Sequence, residues 1–248
     1  MKQLSLYECC AVALPQRPER SDEELEVYDY FAGAGGFSTG AAQAGCCVAY
    51  VCDACPNALA THRRNHKHAR HQCARLPNAD AVAQLPTDGR RFHVHCSPPC
   101  TKLSGMNSIN AFERRDSAAQ HQKAIDMVEW SLNMMLASRC TSWSLEQVVS
   151  PDVIAALERA RRTHPGKVAW VALDFALLGV PQNRVRLVAG TPRLIARLQR
   201  LCGSARRSTV RDVLPNARGT HLRAGKSNNK TWLRTNRKPG QTKYAYTK

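Results

Sequence analysis

Six short apolar runs alternate with stretches of helical periodicity, and this alternation leaves the chain few ways to fold. The runs cover residues 27–31, 47–51, Phe92–Cys96, 143–149, 168–175 and 185–189, and the helical stretches 37–44, Pro56–Asn65, 117–137 and Pro151–Thr163. Strand and helix repeated in this way predict an α/β fold, a doubly wound and mostly parallel sheet with helices on both faces. In such sheets ligands bind beyond the C-terminal ends of the strands. The chain's 248 residues suit one sizeable domain, or one plus an appendage, and 43% hydrophobic residues suffice for a core. No apolar run approaches the roughly 20 residues that cross a bilayer, so no membrane association is expected.

Charge divides the chain into three parts. Residues 1–26 form an acidic N-terminal extension carrying Glu19, Asp22, Glu23, Glu24 and Glu26, and lack the long apolar block of a secretory signal. Residues 27–205 hold the strand–helix alternation. Residues 206–248 form a basic tail, with no acidic residue after Asp212. The formal net charge of +17 predicts attraction to polyanions, with nucleic acid the usual one. A basic ribosome-like or membrane-surface protein is the alternative that charge alone leaves open. The 11 cysteines are an odd number in a chain of this length, which reads as reduced thiols rather than a disulfide scaffold. The expected location is intracellular, in cytoplasm or nucleus, wherever DNA is accessible.

Two constellations carry chemistry. In Asp29-Tyr30-Phe31-Ala32-Gly33-Ala34-Gly35-Gly36-Phe37 a strand ends in a Gly-rich turn that opens a helix. Glycines there let the backbone approach a ligand, and helix N-terminal N–H groups face its polar end. Asp53 closes the next apolar run about 20 residues on, where a ribose-binding carboxylate sits. The spacing fits an adenosine-containing cofactor, with Asp80 within reach of an adenine; a plain strand–helix turn and a solvated loop aspartate are the alternatives.

The second constellation begins at Ser97-Pro98-Pro99-Cys100. Two prolines stiffen the loop, and a thiol at its end, above a sheet, is placed for nucleophilic attack as a thiolate. Glu146, ending another apolar run, shares the mouth of the sheet with Cys100 and offers a carboxyl for proton transfer. Arg184 and Arg186 alternate along a strand and project to one face, where two guanidiniums bind carbonyl or phosphate oxygens.

Taken in order, these motifs resemble the DNA cytosine 5-methyltransferase family, from Asp29 to about Pro192. The 29–36 segment is similar to the family's DxFxGxGG cofactor motif. Asp53 with Thr61, Asn65 and His66 resembles its second motif, Pro98-Pro99-Cys100 its catalytic PPC with Ser104 as the following serine, Glu146-Gln147-Val148 its ENV, and residues 179–186 its GVPQxRxR block. The resemblance implies a Rossmann-like S-adenosylmethionine-dependent methyltransferase fold. It implies S-adenosyl-L-methionine over Phe31, Ala32, Gly33, Gly35 and Gly36, with Asp29 and Pro98 also lining the cofactor site, Asp53 on the ribose and Asp80 near the adenine. It implies a cytosine flipped out of duplex DNA, Cys100 adding to carbon 6, Glu146 on the ring nitrogen, Arg186 on the base carbonyl and Arg184 supporting the loop.

The sequence departs from that pattern at several places. Gln147 replaces the usual Asn, an amide that braces the loop carrying the cysteine. Thr101 and Leu103 replace Gln and Phe, and His93 stands where Asp is frequent. Thr209-Val210-Arg211-Asp212-Val213-Leu214 resembles the lead-in to the target-recognition region, yet no Gly-Asn pair, the family's late motif, follows. The expectation is a catalytic half that needs a second polypeptide for target recognition; a truncated or degenerate enzyme is the alternative. An RNA (tRNA) cytosine 5-methyltransferase and an inactive nucleic-acid-binding relative are the competing functions. Trp232, Tyr244 and Tyr246 among the basic residues of the tail suit stacking on bases, with a solvated tail the equal alternative. Cys52, Cys55, His62, His66, His68, His71 and Cys73 suggest zinc, but six residues between Cys55 and His62 are too few for the usual finger, so no metal is assigned.

Overall fold

The first apolar run forms β1 (Glu26–Tyr30), and the Gly-rich turn leads from it into α1 (Gly36–Gln43). Then follow β2 (Cys47–Asp53), α2 (Pro56–Asn65), β3 (Arg70–Cys73), α3 (Ala79–Val82), β4 (Phe92–Cys96), α4 (Arg114–Ala137), β5 (Ser142–Gln147), α5 (Pro151–Thr163), β6 (Ala169–Asp174), a 3-10 turn (Phe175–Leu178), β7 (Val185–Gly190) and α6 (Pro192–Leu201). This computed structural model describes residues 24–100, 103, 114–202, 208, 209 and 212. By its internal contacts the chain divides into residues 1–209 and 210–248, and every described residue except Asp212 belongs to the first unit. Most of the acidic extension, Thr101, Ser104, most of the 209–214 segment and the aromatic residues of the basic tail lie outside the described residues.

The seven strands form one sheet in the order β3-β2-β1-β4-β5-β7-β6. Six strands, β1 to β6, point the same way, whereas β7 is antiparallel to both of its neighbours, β5 and β6. The cause is the connection. Helices carry the chain back between the parallel strands, but only the 3-10 turn and a short loop join β6 to β7, too little for a crossover. The reversal inserts β7 between β5 and β6 and delivers its N-terminal end to the edge where the parallel strands finish.

The two faces of the sheet differ in chemistry. Tyr28, Tyr30, Phe92, Val94, Cys96, Trp143 and Leu145 alternate onto one face and form the main core with side chains from α3, α4 and α5, among them Ala81, Val128, Leu132 and Leu157. The opposite face of β1, β4 and β5 carries Asp29, His93, His95 and Ser144, all buried. Polar residues are tolerated there because they bond one another: His93 contacts Ser142 Oγ at 2.7 Å and Ser144 Oγ at 2.9 Å, and His95 contacts Ser144 Oγ at 2.7 Å. Phe37 stacks on His95 with ring centroids 3.5 Å apart. His93, a departure noted in the sequence, is thus a member of a buried polar layer.

Three elements were not legible in the sequence. β3 reads Arg-His-Gln-Cys without apolar alternation, and it is a strand because β2 offers it an edge to pair with. α3 is a single turn capped by Asn78, whose side chain accepts from Ala81 N–H. α6 follows β7 with Pro192 in its first turn and buries Ile195.

Candidate active site

The sheet register brings the two constellations together. Tyr30 pairs with both Cys52 and Cys96, and Cys96 pairs with Leu145, so the turn after β1, Asp53, the proline loop and Glu146 all lie at one sheet edge. Ser97 joins the Gly-rich turn to the proline loop. Its N–H donates to the Tyr30 carbonyl at 3.2 Å, and its hydroxyl donates to the Phe31 carbonyl at 3.2 Å. No local sequence pattern marks Ser97 for this role.

The Gly-rich turn is tightly specified. Phe31 has a φ of 62° and Gly33 and Gly35 have φ of 54° and 99°, a region that costs a side-chain-bearing residue energy. The cost at Phe31 is offset by donation of the Phe31 and Ala32 N–H groups to the Cys52 carbonyl at 2.9 and 3.2 Å. Ala32 is buried in the small cluster with Val48, Val51 and Leu59. Gly35 is obligatory for a second reason: a Cβ there would lie 2.9 Å from Cδ2 of His62. At Gly33 and Gly36 a Cβ would meet nothing within 4 Å, so that side of the turn is open.

The carboxylates occupy three different environments. Asp53 accepts from Gly33 N–H at 2.9 Å and from Cys55 N–H at 2.7 Å, so it fastens the turn to the start of α2. Asp29 is fully buried below the turn; Ser38 Oγ donates to its Oδ2 at 2.7 Å, while Oδ1 has no partner. Burial, opposed by the Ser38 bond and helped by the charge of Asp53, raises the Asp29 carboxyl to about 7. Asp80 is exposed, in the first turn of α3.

On the proline loop, Pro98 is buried, Pro99 exposed and Cys100 partly buried against the main core. The loop is braced by Gln147: its Nε2 donates to the Pro98 carbonyl at 2.9 Å, and its Oε1 accepts from Val148 N–H at 2.7 Å. The longer amide therefore makes the contact expected of Asn. Cys96, the nearest competing thiol in the sequence, is fully buried, and desolvation pushes its ionisation well above the usual thiol range. The nine described cysteines are free thiols.

Glu146 receives both arginines. Arg184 Nη2 donates to its Oε1 at 3.3 Å, and Arg186 Nε lies 3.0 Å from the same oxygen as an ion pair, without the alignment of a hydrogen bond. Asp174 places this segment, since its Oδ1 accepts from Arg184 N–H at 2.8 Å and from Ala176 N–H at 3.1 Å. Nothing in local spacing marks Asp174 or Ser38, and the spacing of His62 marks it only as a candidate zinc ligand. Among the described residues, no three His, Cys, Asp or Glu side chains converge as a metal site.

The strand order and the antiparallel β7 are those of a Rossmann-like methyltransferase fold. The chain is 26% identical over 166 residues to the type II methyltransferase M.HgiDI of Herpetosiphon aurantiacus, a match covering 65% of this chain and 50% of that protein. It thus spans about half the length of the curated relative it matches. Among solved structures, a protein described as a DNA modification methyltransferase encoded within an E. coli prophage aligns with a TM-score of 0.48 and 20% identity, over 70% of this chain and 48% of that one. The Entamoeba histolytica methyltransferase EhMeth aligns with a TM-score of 0.48 and 15% identity, over 68% of this chain and 52% of that one. No protein-family model matches the chain. Among the described residues no helix is long and apolar enough to cross a membrane.

Proposed function

We propose that this chain transfers a methyl group from S-adenosyl-L-methionine to carbon 5 of a cytosine in DNA, through a covalent adduct on Cys100. The observation that carries the reading is the Gln147–Pro98 bond, which ties the loop bearing Cys100 to the strand bearing Glu146 at the edge where the Gly-rich turn opens. The catalytic part is assigned to residues 27–205.

The residues fit the cofactor on two counts. The turn is open at Gly33 and Gly36, where a Cβ would have free space, and on β1, which leads into it, the buried Oδ1 of Asp29 is unpartnered. Phe31, Ala32, Gly33, Gly35, Gly36 and Pro98 would line the site, with Asp53 on the ribose and Asp80 toward the adenine. When bound, the sulfonium supplies an electrophilic methyl group and leaves as a neutral thioether.

Cys100 acts as a thiolate, and its sulfur forms a bond to carbon 6 of a cytosine turned out of the duplex. Electron density moves to carbon 5, while Glu146 hydrogen-bonds the ring nitrogen and steadies the charge that develops there. Arg186 contacts the base carbonyl, and Arg184 keeps Glu146 in place. Carbon 5 gains the methyl group and loses its proton, and the carbon–sulfur bond breaks to return the thiolate. The net charge of +17 favours a nucleic-acid substrate. Target reading is assigned to the basic residues 206–248 or to a second polypeptide.

The test is a duplex carrying 5-fluorocytosine, incubated with S-adenosylmethionine and mapped by mass spectrometry. A stable adduct on Cys100 is expected, because fluorine cannot leave carbon 5 as a proton does. An adduct on another cysteine, or none even with cell extract added, overturns the assignment. A parallel arm with tRNA reports the competing substrate, and addition of cell extract reports a required second chain.

A further inference from the structure

A line of hydrogen bonds runs from the edge strand β3 to the buried carboxylate under the Gly-rich turn. His71 Nε2 lies 3.0 Å from His62 Nδ1, His62 Nε2 lies 3.0 Å from Ser38 Oγ, and Ser38 Oγ donates to Asp29 Oδ2 at 2.7 Å. His62 and Ser38 are fully buried, and His71 is half-buried at the solvent end. The His62 ring also forms the floor of the turn, since it is the group that a side chain at Gly35 would strike. The proposed reaction uses none of these three residues.

We propose that His71, His62 and Ser38 form a proton relay that loads and unloads Asp29, and so couples solvent pH to the hold of the Gly-rich turn on a sulfonium cofactor. The coupling rests on the cofactor reading above; the relay itself does not.

The proton accounting is closed. With Asp29 ionised, the Ser38 hydroxyl hydrogen is committed to Asp29. His62 must then donate from Nε2 to Ser38, and its bare Nδ1 accepts from His71 Nε2–H. Uptake of one proton at His71 Nδ1 reverses the line. The His71 Nε2–H bond breaks as a His62 Nδ1–H bond forms, the His62 Nε2–H bond breaks as a new Ser38 O–H bond forms, and the original Ser38 hydrogen passes to Asp29 Oδ2. One proton is gained, both rings stay neutral, and both change tautomer. Burial lowers the His71 ring, opposed by its hydrogen bond to the Ala69 backbone and helped by the charge of Arg63.

The surroundings suit this behaviour. Burial, with His66 and His71 nearby, lowers His62 to about 4, so the ring passes a proton on rather than keeping it. Asp29 is raised to about 7 and is the natural terminus. The other groups facing this line are Asp53 at the end of β2, His66 capping the C-terminus of α2, which bonds Thr39 Oγ1 at 3.2 Å, His95 and Cys96 on β4, and Arg63 on α2, one of the groups that lower His71. His95 is lowered to about 3 and Cys96 raised by burial, His66 is lowered by burial and by His71, and Asp29 is raised to about 7.

Nitrogen-15 spectra of the histidine rings, recorded on the full chain from pH 8.5 to 5.5, test the relay without cofactor. Neutral His62 is expected to switch from the Nε2–H to the Nδ1–H tautomer over the range in which Asp29 protonates. Ser38→Ala should abolish the switch. A tautomer that stays constant, or a switch that survives Ser38→Ala, overturns the relay. Calorimetry at the same pH values tests the coupling. Affinity for S-adenosylmethionine should fall about tenfold as Asp29 loses its charge, while the neutral S-adenosylhomocysteine loses less than about twofold. Equal pH dependence for both ligands overturns the coupling. Binding of neither ligand at any pH, with the tautomer switch intact, overturns the cofactor reading and leaves the relay standing.

Discussion

The Gln147 amide donates to the carbonyl of Pro98 across the gap between β5 and the proline loop, with both groups buried. Its carbonyl oxygen turns back to accept from Val148 N–H. The extra methylene relative to Asn is accommodated, and the loop that carries Cys100 is held by a bond from the strand that carries Glu146. Gln147→Ala leaves a buried acceptor and a buried donor unmet and should cost roughly 2–4 kcal/mol in stability. It should also slow methyl transfer by about tenfold or more through misplacement of Cys100, with cofactor affinity little changed. Denaturant unfolding and single-turnover rates measure the two effects; an unchanged rate would show that the brace has no part in positioning.

Gly35 and Gly36 are neighbours with opposite expectations. At Gly35, φ is +99° and a Cβ would come within 2.9 Å of His62, so Gly35→Ala should destabilise the fold by about 2–4 kcal/mol. At Gly36 a Cβ meets nothing within 4 Å and the residue opens α1. Gly36→Ala should leave stability unchanged or slightly improved and act on S-adenosylmethionine affinity alone. Thermal unfolding with calorimetry separates the two.

Asp53 serves structure before it serves any ligand. Its two oxygens each accept a backbone N–H, from Gly33 and Cys55. Asp53→Ala should therefore lower stability by about 1.5–3 kcal/mol without cofactor present and reduce cofactor affinity further. A loss of affinity with full stability would mean that the turn is held by other contacts.

Acid should weaken the fold through its buried histidines. His62 and His93 are lowered to about 4 and His95 to about 3, all by burial first. Each is neutral when folded, so the unfolded chain binds more protons as pH falls below about 6.5, and stability declines from there through pH 4. Asp29 works in the opposite direction: its folded carboxyl, raised to about 7, takes a proton that the unfolded chain lacks until about 4. Three groups against one leave a net loss. Urea unfolding between pH 7.5 and 4.5 should show it, and His93→Asn should reduce the slope by up to about 1.4 kcal/mol per pH unit. Stability that rises on acidification contradicts the buried, neutral rings.

The alternation of apolar runs with helical stretches determined the sheet, because burial on both faces demands continuous apolar strands and helices of matching length. The Gly-rich turn and the proline loop were legible for a similar reason, since their backbone conformations admit few residue types. β3, by contrast, has no pattern of its own and exists only because the edge of β2 accepts it. The polar layer of His62, His93, His95, Ser38 and Ser144 was equally hidden. Each of those residues has a buried polar atom whose partner lies on another element, which local sequence does not name. Sequence spacing placed Glu146, Arg184 and Arg186 on separate motifs, and only the antiparallel insertion of β7 beside β5 brought both guanidiniums to one carboxylate oxygen. Local sequence sets which conformations a segment prefers; which distant groups meet, and whether a buried polar atom finds a partner, is decided by strand order and register.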